Sequence, residues 1–464
     1  MSWIESGVRD IANAIREGKT SACEVLEDYI TQIERYNPSI NALVVLDFEG
    51  ARTQAKAIDQ RRSHGEALGP LAGVPVSIKE AFAVEGMATT CGFESYLDQV
   101  PTFDAPAVQA LKRADAVTIG KSNIPTSLSG FGCKNPVYGQ TSNPWSNDRT
   151  PGGSSGGSGA AIASRFSALD LASDLSGSIR IPSSWCGVTG FRPSPGKLSK
   201  RGHLPWPLDT ALEPPESVPG LIGVTASDLA YGWQAVLLTI PGYQEPKQTL
   251  LPTTHNAQSL RIGCWLGSDV LWVSQEVAAA LLNVTETLST LGHNLQSYQP
   301  QFDEAEVIQL ARRLTDAEIT FGLNEEVWES WDHKAFTTRN YLQDLNTIER
   351  LRQMIDRDLK RFDIIICPAT PIVAPTAKEV DNANQLISVE QNYMELRSIS
   401  DWSLVTSIFH LPSVTIPIGL SKDKLPIGMQ VVSRCGMDLE VLFAAQVLEL
   451  VTKSIGRPDL LVTT

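Results

Sequence analysis

Apolar positions along the chain alternate between two periods. Leu26, Ile30 and Ile33 fall at helical spacing behind Thr20 and Ser21, either of which can cap a helix running to about Tyr36. The run over 42–47 predicts a strand, the polar stretch 50–63 a helix, and 74–78 a strand carrying Lys79 at its end. Asp104 is placed to cap a helix through Arg113, and a strand follows over 116–120. Further along, the pattern predicts a helix over 160–164 and strands over 168–172 and 261–266. Helices near 273–290 and 303–315 come next, then a buried strand over 364–367. The chain closes with a helix around 395–409, strands over 413–418 and 427–432, and an amphipathic helix over 437–453. Residues 203–222, rich in proline and polar side chains, read as a surface excursion. Such alternation predicts an α/β protein with a central mixed, twisted sheet covered by helices on both faces. No internal repeat is present, and the late strands can complete the sheet begun by the early ones, so residues 1–464 read as one large domain.

Composition narrows the function classes. With 464 residues, 42% hydrophobic and 19% charged, the chain is that of a folded globular protein. A net charge of −14 without any Lys/Arg cluster argues against nucleic acid as the ligand. The seven cysteines (23, 91, 133, 186, 264, 367 and 435) form no CxxC pair, so neither a zinc nor a redox motif is indicated, and they read as reduced thiols. Six histidines (64, 203, 255, 293, 333 and 410) include no HExxH, and no metal or cofactor is expected. The N-terminus has no long apolar run, and the apolar window 404–420 is interrupted by His410, Pro412 and Pro417. The expectation is a soluble cytoplasmic protein that engages no membrane.

Candidate chemistry concentrates in two places. Residues 150–182 hold Pro151-Gly-Gly-Ser-Ser-Gly-Gly-Ser158 and, after a short Ala-rich segment, Asp174-Leu-Ser-Gly-Ser-Ile-Arg180. A serine hydroxyl needs a base in hydrogen-bond reach and donors aimed at the developing oxyanion. The run Leu175-Ser176-Gly177-Ser178 can supply consecutive N–H groups, although a plain glycine turn has the same composition. Ser154 and Ser155 sit in a loop that can relay a proton, cradle a phosphate, or merely connect elements. Upstream, Lys79 follows the apolar run Gly73-Val-Pro-Val-Ser-Ile. A strand-end lysine usually snorkels to water; buried, it becomes a neutral base near pH 7. Competing motifs fail. The two GxSxG matches at 152–156 and 153–157 lack a preceding strand, Pro195 and Gly196 spoil the SxxK at Ser194, and Asp115 replaces the first P-loop glycine before Gly120-Lys121-Ser122.

The order of these segments resembles the amidase signature family. The resemblance rests on Gly73-Val-Pro-Val-Ser-Ile-Lys79, Gly120-Lys-Ser-Asn123, Tyr138-Gly139, Asn143-Pro-Trp145, the 151–158 loop, Gly177-Ser-Ile-Arg-Ile-Pro182, Cys186-Gly-Val and Gly190-Phe-Arg-Pro193. Pro-Ile-Gly-Met-Gln430 near the end is also typical of it. It covers a signature core of about 70–200, with a divergent region of about 200–410 that would shape the substrate pocket. The family implies hydrolysis of a carboxylic amide to acid plus ammonia or amine. Ser178 would be the nucleophile, Ser154 a bridging serine on a cis peptide, and Lys79 the base. Leu175, Ser176, Gly177 and Ser178 would form the oxyanion wall, with Asp174 and Arg180 fixing that loop. Ser129, Gly130 and Phe131 would line the acyl pocket, and Trp206, Trp328, Trp331 and Trp402 are further pocket candidates, though such residues are more often core. One departure stands out: Ser176 occupies a position where the family usually has glycine. The expected partner is a small-molecule amide, with a homodimer left open. The family also holds glutamine-hydrolysing amidotransferase components that work with a partner, and a catalytically silent member is a third reading.

Overall fold

Eleven strands form one sheet in the computed structural model, which describes residues 2–206, 210–243, 259–321, 337–381, 385–390, 392–452 and 455–460. The strands from the first half are β1 (Leu43–Leu46), β2 (Pro75–Lys79), β3 (Val117–Ser122), β6 (Leu169–Asp174), β7 (Thr189–Arg192) and β8 (Val218–Gly223). A small hairpin, β4 (Lys134–Asn135) and β5 (Gly139–Gln140), lies outside it. From the second half come β9 (Arg261–Cys264), β10 (Asn294–Ser297), β11 (Ile364–Pro368), β14 (Ser413–Leu420) and β15 (Pro426–Val432); β12 (Leu386–Val389) and β13 (Asn392–Glu395) form a second separate hairpin.

The order across the sheet is β1-β3-β2-β6-β8-β7-β14-β15-β11-β9-β10. Pairing is antiparallel through the centre, from β6 to β11, and parallel on either side, in β3-β2-β6 and β11-β9-β10. The late hairpin β14–β15 therefore joins the early β7 to the late β11, as its apolar strands predict. Helices flank this sheet, and together they form a single domain with a large mixed sheet.

Local sequence accounts for most elements. Ser21 caps the helix Ala22–Ile40 in a capping box with Glu24, and the helix ends on Asn41 in the left-handed region. Two expectations are corrected. Asp104 does not cap the helix Pro106–Arg113: Ala105 does, ahead of Pro106, while Asp104 pairs with Lys112 at 2.8 Å and accepts from the Glu85 N–H. Nor is 203–222 wholly a surface excursion, because β8 lies fully buried between β6 and β7. Pro219 and Gly220 disguise that strand, whose value lies in filling the sheet centre rather than in β-propensity.

The helix Gly156–Ala163 starts four residues earlier than its alanine run indicates, and every residue in it is buried. A Cβ on Gly157 would overlap the Asn123 nitrogen and stand 2.7 Å from the Ala42 carbonyl oxygen, both backbone atoms that cannot swing aside. Gly157→Ala is expected to lower unfolding free energy by about 1–3 kcal/mol through overpacking, read as a lower denaturant midpoint at unchanged m-value.

Candidate active site

Lys79 closes β2, between the parallel neighbours β3 and β6, and is completely buried. Its Nζ lies 2.7 Å from Ser154 Oγ, 2.9 Å from Ser173 Oγ and 3.3 Å from the Ser173 carbonyl oxygen. Among the described residues no carboxylate pairs with it. Burial pushes its pKa down from 10.5 to about 7, against the opposing pull of the more distant Asp174 and Asp170 charges. The strand-end lysine thus does not snorkel: the sheet closes over it.

Ser154 is buried beside it, and the Gly153–Ser154 peptide is cis. Gly130 and Phe131 lie at the edge of this loop, with the Gly130 carbonyl close against Gly153 and the Phe131 carbonyl accepting from Thr150 Oγ1 at 2.7 Å. Ser129 and Gly130 are exposed; Phe131 is half-buried and packs on the apolar cluster of Ile181, Trp185, Ile372 and Ile399.

The second half of the glycine-serine region leaves β6 at Asp174. The Asp174 carboxylate accepts from the N–H groups of Gly177 at 2.8 Å, Ile179 at 3.0 Å and Arg180 at 3.3 Å. Arg180 returns Nε at 3.0 Å and Nη2 at 2.7 Å to the same carboxylate, and Arg192 stands 3.6 Å away. Arg180 also donates to the Ser403 carbonyl at 2.9 Å, Gln430 Oε1 at 3.0 Å and Ser407 Oγ at 2.6 Å, which ties the loop to the helix Asp401–Ile408 and to β15. Burial opposes the Asp174 charge, but Arg180 and Arg192 outweigh it and hold the carboxyl well below its ordinary 3.8.

This clamp turns the chain at Gly177, whose φ of +119° lies in the region that favours glycine. In this geometry the Gly177 N–H, expected in the oxyanion wall, donates to Asp174. The N–H groups of Ser176 and Ser178 donate to no described residue, and Leu175, Ser176 and Ser178 are all partly exposed. The Ser178 carbonyl accepts from the Ser155 N–H at 3.2 Å, bringing the two serine loops together, while Ser178 Oγ bonds to no described residue.

Of the tryptophans, Trp402 is core, packed edge-on to Trp265 at 5.2 Å; Trp206 is buried against His203 and under Lys200; Trp328 and Trp331 lie outside the described residues. Sequence reading missed two site residues, Ser173 and His203. Ser173 neighbours Asp174 in a strand but carries no motif signal of its own. His203 sits in the proline-rich excursion, 30 residues from Ser173, where nothing local marks it. Among the described residues no group of three or more His, Cys, Asp or Glu is placed to hold a metal ion, and no helix is long and apolar enough to cross a membrane.

A buried lysine on a serine hydroxyl, beside a second serine on a clamped glycine loop with unpaired N–H groups, is the equipment of an acyl-transfer hydrolase. The amidase family profile matches residues 24–320 and 309–442, and the chain belongs to the amidase family. It is 27% identical to the A component of the glutamyl-tRNA(Gln) amidotransferase of Lachnospira eligens, over 97% of this chain and 98% of that one. Among solved structures it is similar to a vestigial protein complex that reveals the evolutionary origins of an s-triazine catabolic enzyme, at 30% identity and TM-score 0.81, over 97% of this chain and 99% of that one. It also matches 6-aminohexanoate cyclic dimer hydrolase complexed with substrate, at 26% identity and TM-score 0.77, over 98% and 99% of the two chains. The protein is an amidase, a hydrolase of amide C–N bonds.

Proposed function

We propose that the chain hydrolyses a small carboxylic amide through an acyl-enzyme on Ser178, with Ser154 as proton relay and Lys79 as base. The observation that carries this reading is the 2.7 Å contact between Ser154 Oγ and a fully buried lysine whose pKa lies at about 7. In the first step Ser178 Oγ closes on Ser154 and attacks the amide carbon. Ser154 takes the Ser178 proton as it gives its own to neutral Lys79. The oxyanion is met by the N–H groups of Ser176 and Ser178, with Leu175 beside them. The proton held on Lys79 returns through Ser154 to the leaving nitrogen, the C–N bond breaks, and the acyl group remains on Ser178 as an ester. Water then attacks that ester, losing its proton to the same relay, and Ser178 Oγ departs with a proton restored. Asp174 and Arg180 hold the loop in place. The Ser176 side chain narrows the wall on which the substrate rests, and the turn of Ser129, Gly130 and Phe131 borders the acyl side.

Covalent labelling tests the assignment. A fluorophosphonate is expected to add to Ser178, located by peptide mass spectrometry, and to fail in Lys79→Met; labelling elsewhere, or undiminished labelling of that variant, refutes it. The pH dependence is set by Lys79, which must be neutral to accept a proton. Below about pH 7 kcat/KM is expected to fall tenfold per pH unit, and above it to level off. A limb near pH 4 would instead point to a carboxylate base.

The relation to the glutamyl-tRNA(Gln) amidotransferases supports a second reading, in which the chain hydrolyses glutamine and passes ammonia to a partner. Glutaminase activity that appears only with a co-purified second protein would favour it. Seven cysteines without a disulfide suit a cytoplasmic enzyme, and the mass in solution tests a homodimer.

A further inference from the structure

One buried titratable side chain reaches Lys79 through a single hydroxyl and has no part in the steps above. His203 Nε2 lies 2.8 Å from Ser173 Oγ, which is itself 2.9 Å from Lys79 Nζ. We propose that His203 is a positioning residue which, acting through Ser173, keeps the lone pair of Lys79 aimed at Ser154. The inference rests on the Ser178–Ser154–Lys79 reading.

Hydrogen-bond counting carries the argument. Protonated Lys79 has three N–H bonds, and its three acceptors are Ser154 Oγ, Ser173 Oγ and the Ser173 carbonyl oxygen. Once Ser173 Oγ accepts from Lys79, its own hydrogen must go elsewhere. His203 Nε2 is the one remaining partner of that hydroxyl among the described residues. This assigns Nε2 as the acceptor and puts the ring proton on Nδ1, a buried atom that has no hydrogen-bond partner among the described residues. When Lys79 is neutral, two N–H bonds keep both Ser173 contacts and the lone pair is left facing Ser154, as a base requires. Without an acceptor at 203, the Ser173 hydroxyl turns its hydrogen onto the lysine lone pair, the strongest acceptor in reach, and competes with Ser154.

The fold holds the imidazole for this task. Residues 202–204 pair with 81–83, just beyond Lys79, through Ala83 N–H to Gly202 O at 2.7 Å and Leu204 N–H to Ala81 O at 2.8 Å. Phe82 meets the ring edge-on at 4.4 Å and Trp206 covers it at 5.3 Å. Burial, with the charges of Lys79 and Lys200, keeps His203 well below its ordinary 6.5, so it remains a neutral acceptor. The other titratable groups acting on Lys79 are Asp174, Asp170, Cys91 and Cys133; Lys200 is itself paired with Glu318 at 2.6 Å.

The test follows fluorophosphonate labelling of Ser178 against pH, with kcat and KM for an amide drawn from a substrate panel. His203→Phe keeps an aromatic ring but removes the acceptor; His203→Gln offers an amide oxygen near the position of Nε2. His203→Phe is expected to slow labelling and kcat about tenfold, the worth of one neutral hydrogen bond, with KM within about twofold. Its acidic limb should move to lower pH, because a hydroxyl donated to the amine favours the unprotonated form. His203→Gln should recover most of the rate, and in a Ser173→Ala background His203→Phe should have no further effect. A wild-type rate and pH profile in His203→Phe, equal losses in Phe and Gln, or multiplying losses in the double variant would each overturn the proposal. Should His203→Phe not fold, His203→Gln and Ser173→Ala decide: a retained profile in the first with a slowed second supports it, and a lost rate in the first refutes it. Activity within tenfold of wild type in Ser178→Ala or Lys79→Met would instead remove the underlying reading.

Discussion

Ser178→Ala is expected to lower amide hydrolysis by about ten-thousand-fold or more, the scale on which loss of a triad nucleophile is felt. The variant keeps the loop N–H groups and the Lys79–Ser154 pair, so residual turnover would come from water attacking a bound, polarised amide. Folding should not suffer. Ser178 is partly exposed and its hydroxyl bonds to no described residue, so stability should stay within about 0.5 kcal/mol of the parent. The measurement is kcat/KM on the best amide of a panel, alongside a denaturant melt. Turnover within tenfold of wild type, with the melt unchanged, would remove Ser178 as nucleophile.

Asp174→Ala is expected to cost about 3–5 kcal/mol of folding free energy, because it strands charge in the interior instead of removing a whole pair. Arg180 and Arg192 are fully buried, and the carboxylate also takes the N–H groups of Gly177, Ile179 and Arg180. Activity should fall with stability, since the loop carrying Ser178 loses its clamp. The acid side offers an internal control. The folded carboxyl titrates below its ordinary 3.8, so its contribution is complete above that value and fades as pH falls through the lower, folded one. The gap in unfolding free energy between wild type and variant should thus be constant from pH 8 to about pH 5 and narrow below about pH 4. Asp174→Asn, which keeps an acceptor oxygen but not the charge, should fall between the two; a variant as stable as wild type at pH 7 would contradict the clamp.

Legibility differed sharply between parts of the chain. The helix Ala22–Ile40 and the hairpin β14–β15 were readable because capping and apolar period are local properties. The helix Thr338–Leu359 was not: it buries only Ile348, Ile355 and Leu359, too few apolar positions to stand out. Strand β8 was hidden for the opposite reason, as a fully buried strand that carries proline and glycine where local rules read a break. In the site, Lys79, Ser154 and Ser178 were marked by the resemblance to the amidase signature family, each having an ordinary local reading of its own, whereas Ser173 and His203 became visible only through their contacts.

The sequence by itself indicated the type of chemistry through the ordered motifs that resemble the amidase signature family: a glycine-rich backbone able to make tight turns, serines on it, and a lysine ending an apolar run. Tertiary structure alone decided whether that chemistry is primed. Lys79 meets Ser154 across 75 residues and Ser173 across 94, and its pKa of about 7 comes from the sheet that excludes water around it. Likewise the Gly177 N–H is engaged by Asp174, a carboxylate on which Arg180 and Arg192 converge in the fold. Residue identity is local, but desolvation and hydrogen-bond geometry are sums over neighbours that only the folded chain assembles.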